Sequence, residues 1–122
     1  MHELSLLASV VEVVSQAARQ AHATRVRSVA LDVGTLSGAI PEALYGAWPI
    51  AIAEEPLLAD AELEIHEIAA TVHCPHCAAD VQIDEFYALT CPQCGTPTAA
   101  LTHGREFAVA WVRWDEPDSL EP

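Results

Sequence analysis

The chain has 122 residues, 52% of them hydrophobic, and a formal net charge of −13, a size that suits one domain or a small domain carrying an accessory module. Its five basic residues, Arg19, Arg25, Arg27, Arg105 and Arg113, stand against eighteen acidic ones, which disfavours a nucleic-acid partner because such affinity rests largely on neutralising phosphates. No apolar run approaches the roughly 18 residues that cross a bilayer, so helical membrane insertion is excluded.

Leu4, Leu7, Val10, Val11, Val14, Ala17, Ala18 and Ala21 recur at three- and four-residue steps, which predicts a first amphipathic helix beginning just after the first three residues. The opening Met1-His2-Glu3 lacks the basic start and small-residue cleavage site of a secretory signal, so a cytoplasmic location is expected. Residues 22–24 break the helical period. Val29, Leu31 and Val33 then alternate with Ser28, Ala30 and Asp32, as in a half-buried strand that Gly34 ends.

Gly34-Thr35-Leu36-Ser37-Gly38 reads as a loop, and Pro41 with Glu42 suits the first turn of a second helix. That helix carries Leu44, Tyr45, Trp48, Ile50 and Ile52, but Pro49 lacks an amide hydrogen and crowds the preceding turn. A kink or early break near Trp48 is expected. Residues 63–68 and 107–114 read as further strands. The predicted fold is therefore α+β, a small mixed domain of two helices and a three-stranded sheet. Residues 115–122 hold two prolines and four acids and predict an acidic mobile tail.

Between the last two strands lie Cys74-Pro75-His76-Cys77 and Cys91-Pro92-Gln93-Cys94-Gly95, two CxxC knuckles separated by thirteen residues. Two residues between paired cysteines let one tight turn aim both sulfurs at one ion, and two such turns complete a tetrahedron. In a reducing cytoplasm metal ligation is favoured over disulfides. Four thiolates with no open position predict a structural zinc-ribbon-like module rather than a hydrolytic site. A rubredoxin-like iron site is the competing use of the same motif. A short hairpin between the knuckles, built on Val81, Ile83, Phe86 and Tyr87, is expected. His73 and His76 flank the first knuckle and read either as surface residues or as pH-dependent replacement ligands.

At the amino terminus, the free amine of Met1, the His2 amide and imidazole, and the Glu3 amide or carboxylate can close chelate rings around one ion. A nitrogen-rich set of this kind favours Ni(II) or Cu(II), and residue chemistry alone does not choose between them. Amines and imidazoles must shed protons to ligate, around pH 8 and about 6.5 respectively, so binding is expected to weaken toward acid. The plain reading of His2, His22, His66 and His103 is a set of solvated side chains. Trp48, Trp111 and Trp114 read as core rather than partner surface.

Taken together, Met1-His2-Glu3-Leu4-Ser5-Leu6, Val33-Gly34-Thr35-Leu36-Ser37-Gly38, Pro41-Glu42-Ala43-Leu44, Ala61-Glu62-Leu63-Glu64-Ile65 and the paired knuckles resemble the HypA/HybF family of hydrogenase nickel-incorporation proteins. The resemblance covers nearly the whole chain. It implies a nickel metallochaperone that carries Ni(II) as cargo to the large subunit of nickel-iron hydrogenase, with a GTPase partner, and in some cases serves urease. It further implies nickel ligation by His2 with Met1 and Glu3, and structural Zn(II) on Cys74, Cys77, Cys91 and Cys94. Some relatives place an acidic ligand where this chain has Ile40-Pro41-Glu42, a departure that removes one expected contact.

The predicted organisation is a nickel-binding α/β domain over residues 1–72, completed by strand 105–114, with a zinc module over residues 73–104 inserted between. No Ser/His/Asp constellation or phosphate loop points to an enzyme. The alternative function is a zinc-ribbon module binding nucleic acid or a transcription complex, which the net charge opposes. An electron carrier with iron on the four thiolates is the third reading.

Overall fold

A computed structural model describes residues 2–83, 89–98 and 101–117. Helix α1 spans His2–Gln20 and buries Leu7, Val10, Val11, Val14 and Ala18, the stripe that the sequence spacing predicts. The helix begins at His2 itself, earlier than expected. This costs the first turn nothing in hydrogen bonding, since the first four amides of any helix lack intrahelical acceptors. Its other end closes over His22, whose positive φ of 59° lets the Ala23 amide reach the Ala18 carbonyl at 2.8 Å, a left-handed helix stop.

Strand β1 runs from Arg25 to Gly34, and Val26, Val29, Ala30 and Leu31 on it are buried. Helix α2, Pro41–Ala51, contributes Leu44 and Trp48 to the core, and the Trp48 indole donates to the Ala61 carbonyl at 2.8 Å. The expected break at Trp48 is absent. The helix continues through Pro49 and ends at Ala51, because a proline one turn before the end removes one amide bond in a stretch that already has few residues left to disrupt. A single 3₁₀ turn, Pro56–Leu58, follows, and the Glu55 carboxylate accepts from the Leu57 amide at its start.

Strands β2 (Glu62–Ile68), β3 (Thr71–Cys74), β4 (Ala79–Gln82), β5 (Leu101–His103) and β6 (Phe107–Asp115) complete the order. One three-stranded sheet has the order β2-β1-β6 and a second the order β4-β3-β5. The first is the predicted three-stranded sheet. The second, with both its pairs antiparallel, includes a hairpin that straddles the first knuckle rather than lying between the knuckles. Val81 belongs to β4 and Ile83 packs on its cluster, while Phe86 and Tyr87 lie outside the described residues.

Chain contacts divide the molecule into two compact units, one of Met1–Leu31, Ile40–Ile65 and Val109–Pro122, the other of Asp32–Ala39 and His66–Ala108. The first has its core on α1, β1 and α2. In the second, Val72, Cys74, Val81 and Cys91 form a buried cluster joined by Ile83 and Leu101, so two of the four cysteines are also core residues. Gly34 and Gly104 meet backbone to backbone in this unit. A Cβ on Gly34 would stand 2.1 Å from the Gly104 carbonyl oxygen, and the Leu36 amide donates to that same oxygen at 2.7 Å.

Asp115, counted with the acidic tail in sequence, is the last residue of β6. Its carbonyl accepts from the Thr24 amide at 2.8 Å and its carboxylate receives Arg27 Nε at 2.6 Å. Residues 118–122 lie outside the described residues. Trp111 and Trp114 are half-buried, and the Arg113 guanidinium lies 4.6 Å from the Trp111 ring centre, close enough for a cation–π contact. Among the described residues no helix is long and apolar enough to cross a membrane.

Candidate metal centres

Strand β3 delivers Cys74 to the end of its hairpin, where the register pairs it with Ala79. The chain between them folds into a tight turn, and the Cys77 amide donates to Cys74 Sγ at 3.3 Å. Ala78 closes this turn with φ of 53°, a left-handed conformation that costs a residue with a Cβ about 1 kcal/mol or more. The second knuckle repeats the device with glycine: Gly95 has φ of 76°. There the Gly95 amide reaches the Cys91 carbonyl at 2.8 Å and the Cys91 amide reaches the Thr96 carbonyl at 2.9 Å.

These two turns bring the four sulfurs together, each within 4.8 Å of the others. Cys74 and Cys94 are 3.6 Å apart, Cys77 and Cys94 3.7 Å, and Cys77 and Cys91 4.0 Å. A tetrahedron of sulfurs around an ion at about 2.3 Å has edges of roughly 3.8 Å. The donor set therefore fits a tetrathiolate metal site. Cys74 and Cys91 are buried and Cys77 and Cys94 exposed, so each knuckle gives one inner and one outer ligand.

The sulfurs do not share one proton affinity. The Thr96 hydroxyl, 3.1 Å from Cys94 Sγ, stabilises a thiolate and holds that thiol down at about 6. Hydrogen bonding with the sulfurs of Cys94 and Cys74 pushes the Cys77 thiol up to about 12. Binding of a metal by these sulfurs displaces their protons. Thr96 went unnoticed in sequence, although a hydroxyl two residues beyond the second cysteine is a pattern that could have signalled it.

His73 and His76 are not gathered with these sulfurs. His73 Nδ1 lies 2.9 Å from Asp80 Oδ1 across the β3–β4 pair, and His76 sits exposed on the turn. Elsewhere in the same unit His103 Nδ1 lies 2.9 Å from Glu106 Oε2, and His66 Nδ1 lies 3.4 Å from Asp32.

At the start of α1, His2 is exposed and Glu3 half-buried, while Met1 lies outside the described residues. Because His2 and Glu3 occupy the first helical turn, their amides are not needed as helix donors. The Glu3 carboxylate accepts from the Ile40 amide at 3.4 Å. Ile40 is the N-cap of α2, and its own side chain makes no capping hydrogen bond.

Residues 1–114 match the family described as hydrogenase/urease nickel incorporation, metallochaperone, HypA. The chain is 41% identical over 107 residues to the hydrogenase maturation factor HypA of Chloroflexus aggregans, covering 88% of this chain and 93% of that protein. It is likewise 41% identical over 109 residues to the factor of Rhizobium leguminosarum bv. viciae, covering 89% and 95%. Its fold is similar to the solution structure of the Ni metallochaperone HypA from Helicobacter pylori, with a TM-score of 0.68, 18% identity, and 94% and 98% of the two chains covered. A second solution structure of a HypA protein matches with a TM-score of 0.70 at 20% identity, covering 93% and 96%. With its α+β architecture, its four-cysteine metal cluster and this match over nearly its whole length, the chain belongs to the HypA family of nickel metallochaperones for hydrogenase maturation, which are not enzymes.

Proposed function

We propose that the chain carries one Ni(II) at its amino terminus and passes it to the large subunit of nickel-iron hydrogenase in the cytoplasm, with a GTPase partner supplying nucleotide hydrolysis. Urease is a second client of the same delivery. The nickel ligands are the Met1 amine, the His2 amide and imidazole, and Glu3. The four cysteines hold Zn(II), with Cys74, Cys77, Cys91 and Cys94 closing a tetrahedron that leaves no position for substrate.

The observation that carries the reading is the placement of His2 and Glu3 on the first turn of α1, with the Glu3 carboxylate tied to the Ile40 amide. Helix amides in that turn have no intrahelical acceptor to give up, so they can deprotonate and bind a metal without unwinding the helix. Carboxylate is also the group expected to replace the acidic ligand that Ile40 does not provide. An exposed terminal chelate suits cargo that must leave again, since its ligands are open to exchange with those of a partner. The bound zinc supplies folding energy to a module whose own apolar cluster is small.

The test is native mass spectrometry of untagged, zinc-loaded protein and its His2→Ala variant at about pH 7.5, where the free amine begins to lose its proton. Only the parent should bind one nickel while both keep one zinc. Equal nickel binding by both would remove the amino terminus as the site.

A further inference from the structure

The two outer sulfurs, Cys77 and Cys94, are both exposed, yet their surroundings differ. The Cys94 thiol donates to Thr96 Oγ1 at 3.1 Å, and among the described residues the hydrogen-bond partners of Cys77 Sγ are other cysteine sulfurs, Cys94 at 3.7 Å and Cys91 at 4.0 Å. Thr96 is held by the knuckle itself: its carbonyl accepts the Cys91 amide at 2.9 Å, and the residues flanking the knuckle, Thr90 and Pro97, pair as a β-bridge. The hydroxyl is therefore fixed by the same turn that presents the sulfur.

In the metal-free site the Cys94 thiol donates to Thr96 Oγ1; we propose that Thr96 is a positioning residue of the four-cysteine site, its hydroxyl turning to donate to Cys94 once a metal has taken the place of the thiol proton, and so making Cys77 the outer sulfur through which the site is opened. The proposal rests on the zinc reading above. A hydroxyl donated to a metal-bound thiolate takes up part of its charge, which lowers its reactivity toward electrophiles; hydrogen bonds to charged groups are the stronger ones. Hydrogen bonds around metal ligands orient them and tune the metal in the same way. Cys74 and Cys91 are shielded by burial with Val72 and Val81, which leaves Cys77, among the described residues, as the exposed sulfur without a hydroxyl donor.

The experiment uses limiting iodoacetamide on the full chain carrying one zinc, verified by native mass spectrometry, with alkylation at each cysteine read by peptide mass spectrometry. In the parent, Cys77 is modified first. In Thr96→Val the rate at Cys94 rises about fivefold, the size of one lost hydrogen bond, while the Cys77 rate stays nearly unchanged; Thr96→Ser restores the parent order. In the cobalt-substituted proteins the sulfur-to-cobalt charge-transfer band moves to lower energy in Thr96→Val and returns in Thr96→Ser.

Modification of Cys94 before Cys77 in the parent overturns the proposal without any variant being needed. So does a Thr96→Ser protein that behaves as Thr96→Val in both readouts. Failure of the parent to hold one zinc would instead sink the zinc reading itself, a separate outcome seen before any alkylation is begun.

Discussion

The Glu3 carboxylate and the Ile40 amide, 3.4 Å apart, join the first turn of α1 to the N-cap of α2 although 37 residues separate them in sequence. A negative charge at a helix N-terminus is favourable, because the free amides there carry partial positive charge. Glu3 thus serves α2 as its missing cap while remaining beside His2.

Glu3→Ala should therefore lower stability by about 0.5 kcal/mol, the small end of the range for a long exposed hydrogen bond, and weaken nickel binding more than it weakens the fold. Thermal denaturation and nickel titration on the same zinc-loaded sample separate the two effects. A variant that lost stability but bound nickel as tightly as the parent would reduce Glu3 to a cap alone.

Ala78 holds a left-handed φ of 53° at the place where the second knuckle uses Gly95. Ala78→Gly should relieve about 1 kcal/mol of conformational cost, offset in part by the greater freedom of glycine in the unfolded chain. A higher thermal midpoint at unchanged zinc content is the expected result.

The Asp115 carboxyl is held below its ordinary value, first by the hydrogen bond from Arg27 and then by the charges of Arg27 and Arg25. A carboxyl whose folded pKa is depressed adds stability above its unfolded value, and that stability is lost as pH falls through the folded value. The difference in urea midpoint between the parent and Asp115→Asn should be constant above the ordinary carboxyl range and vanish as the pH is taken down through the depressed folded value. A difference that persisted at the acid end would mean that the side chain contributes by something other than its charge, and no difference at any pH would leave the residue acting through its backbone carbonyl alone.

Chelation of the metal held by the four cysteines should act on one compact unit first. Cys74 and Cys91 belong to the buried cluster with Val72 and Val81, so losing the ion weakens the packing of the β3–β4 hairpin as well as its turns. Hydrogen exchange read by mass spectrometry should show lost protection over residues 71–82 with α1 still protected. Equal loss over both regions would show the whole chain to unfold as one with the metal.

The stripe of α1 was legible in sequence because Leu7, Val10, Val11, Val14 and Ala18 recur with the helical period and little else competes with them. The cysteines were legible because two short, identical spacings leave few other uses. The β3–β4 hairpin was not. Thr71-Val72-His73-Cys74 and Ala79-Asp80-Val81-Gln82 are four residues each, too short to display a period, and their pairing is imposed by the knuckle that joins them. Pro49 misled in the opposite direction, since its position in the chain says nothing of how few helical residues remain beyond it. The contacts of Glu3 with Ile40 and of Thr96 with Cys94 depend on where a side chain ends up after folding, and no spacing encodes the first of them.

The contact between Gly34 and Gly104, where a side chain on Gly34 would run into the other's carbonyl oxygen, makes the segment between them a loop with its mouth already shut. All four cysteines lie inside that loop. The entropy of drawing distant parts of a chain together grows slowly with the length enclosed, and here most of it is settled by backbone contact at the mouth rather than by sulfur and metal at the tip. An ion that departs leaves behind a tethered loop, and its successor has only the knuckles left to gather.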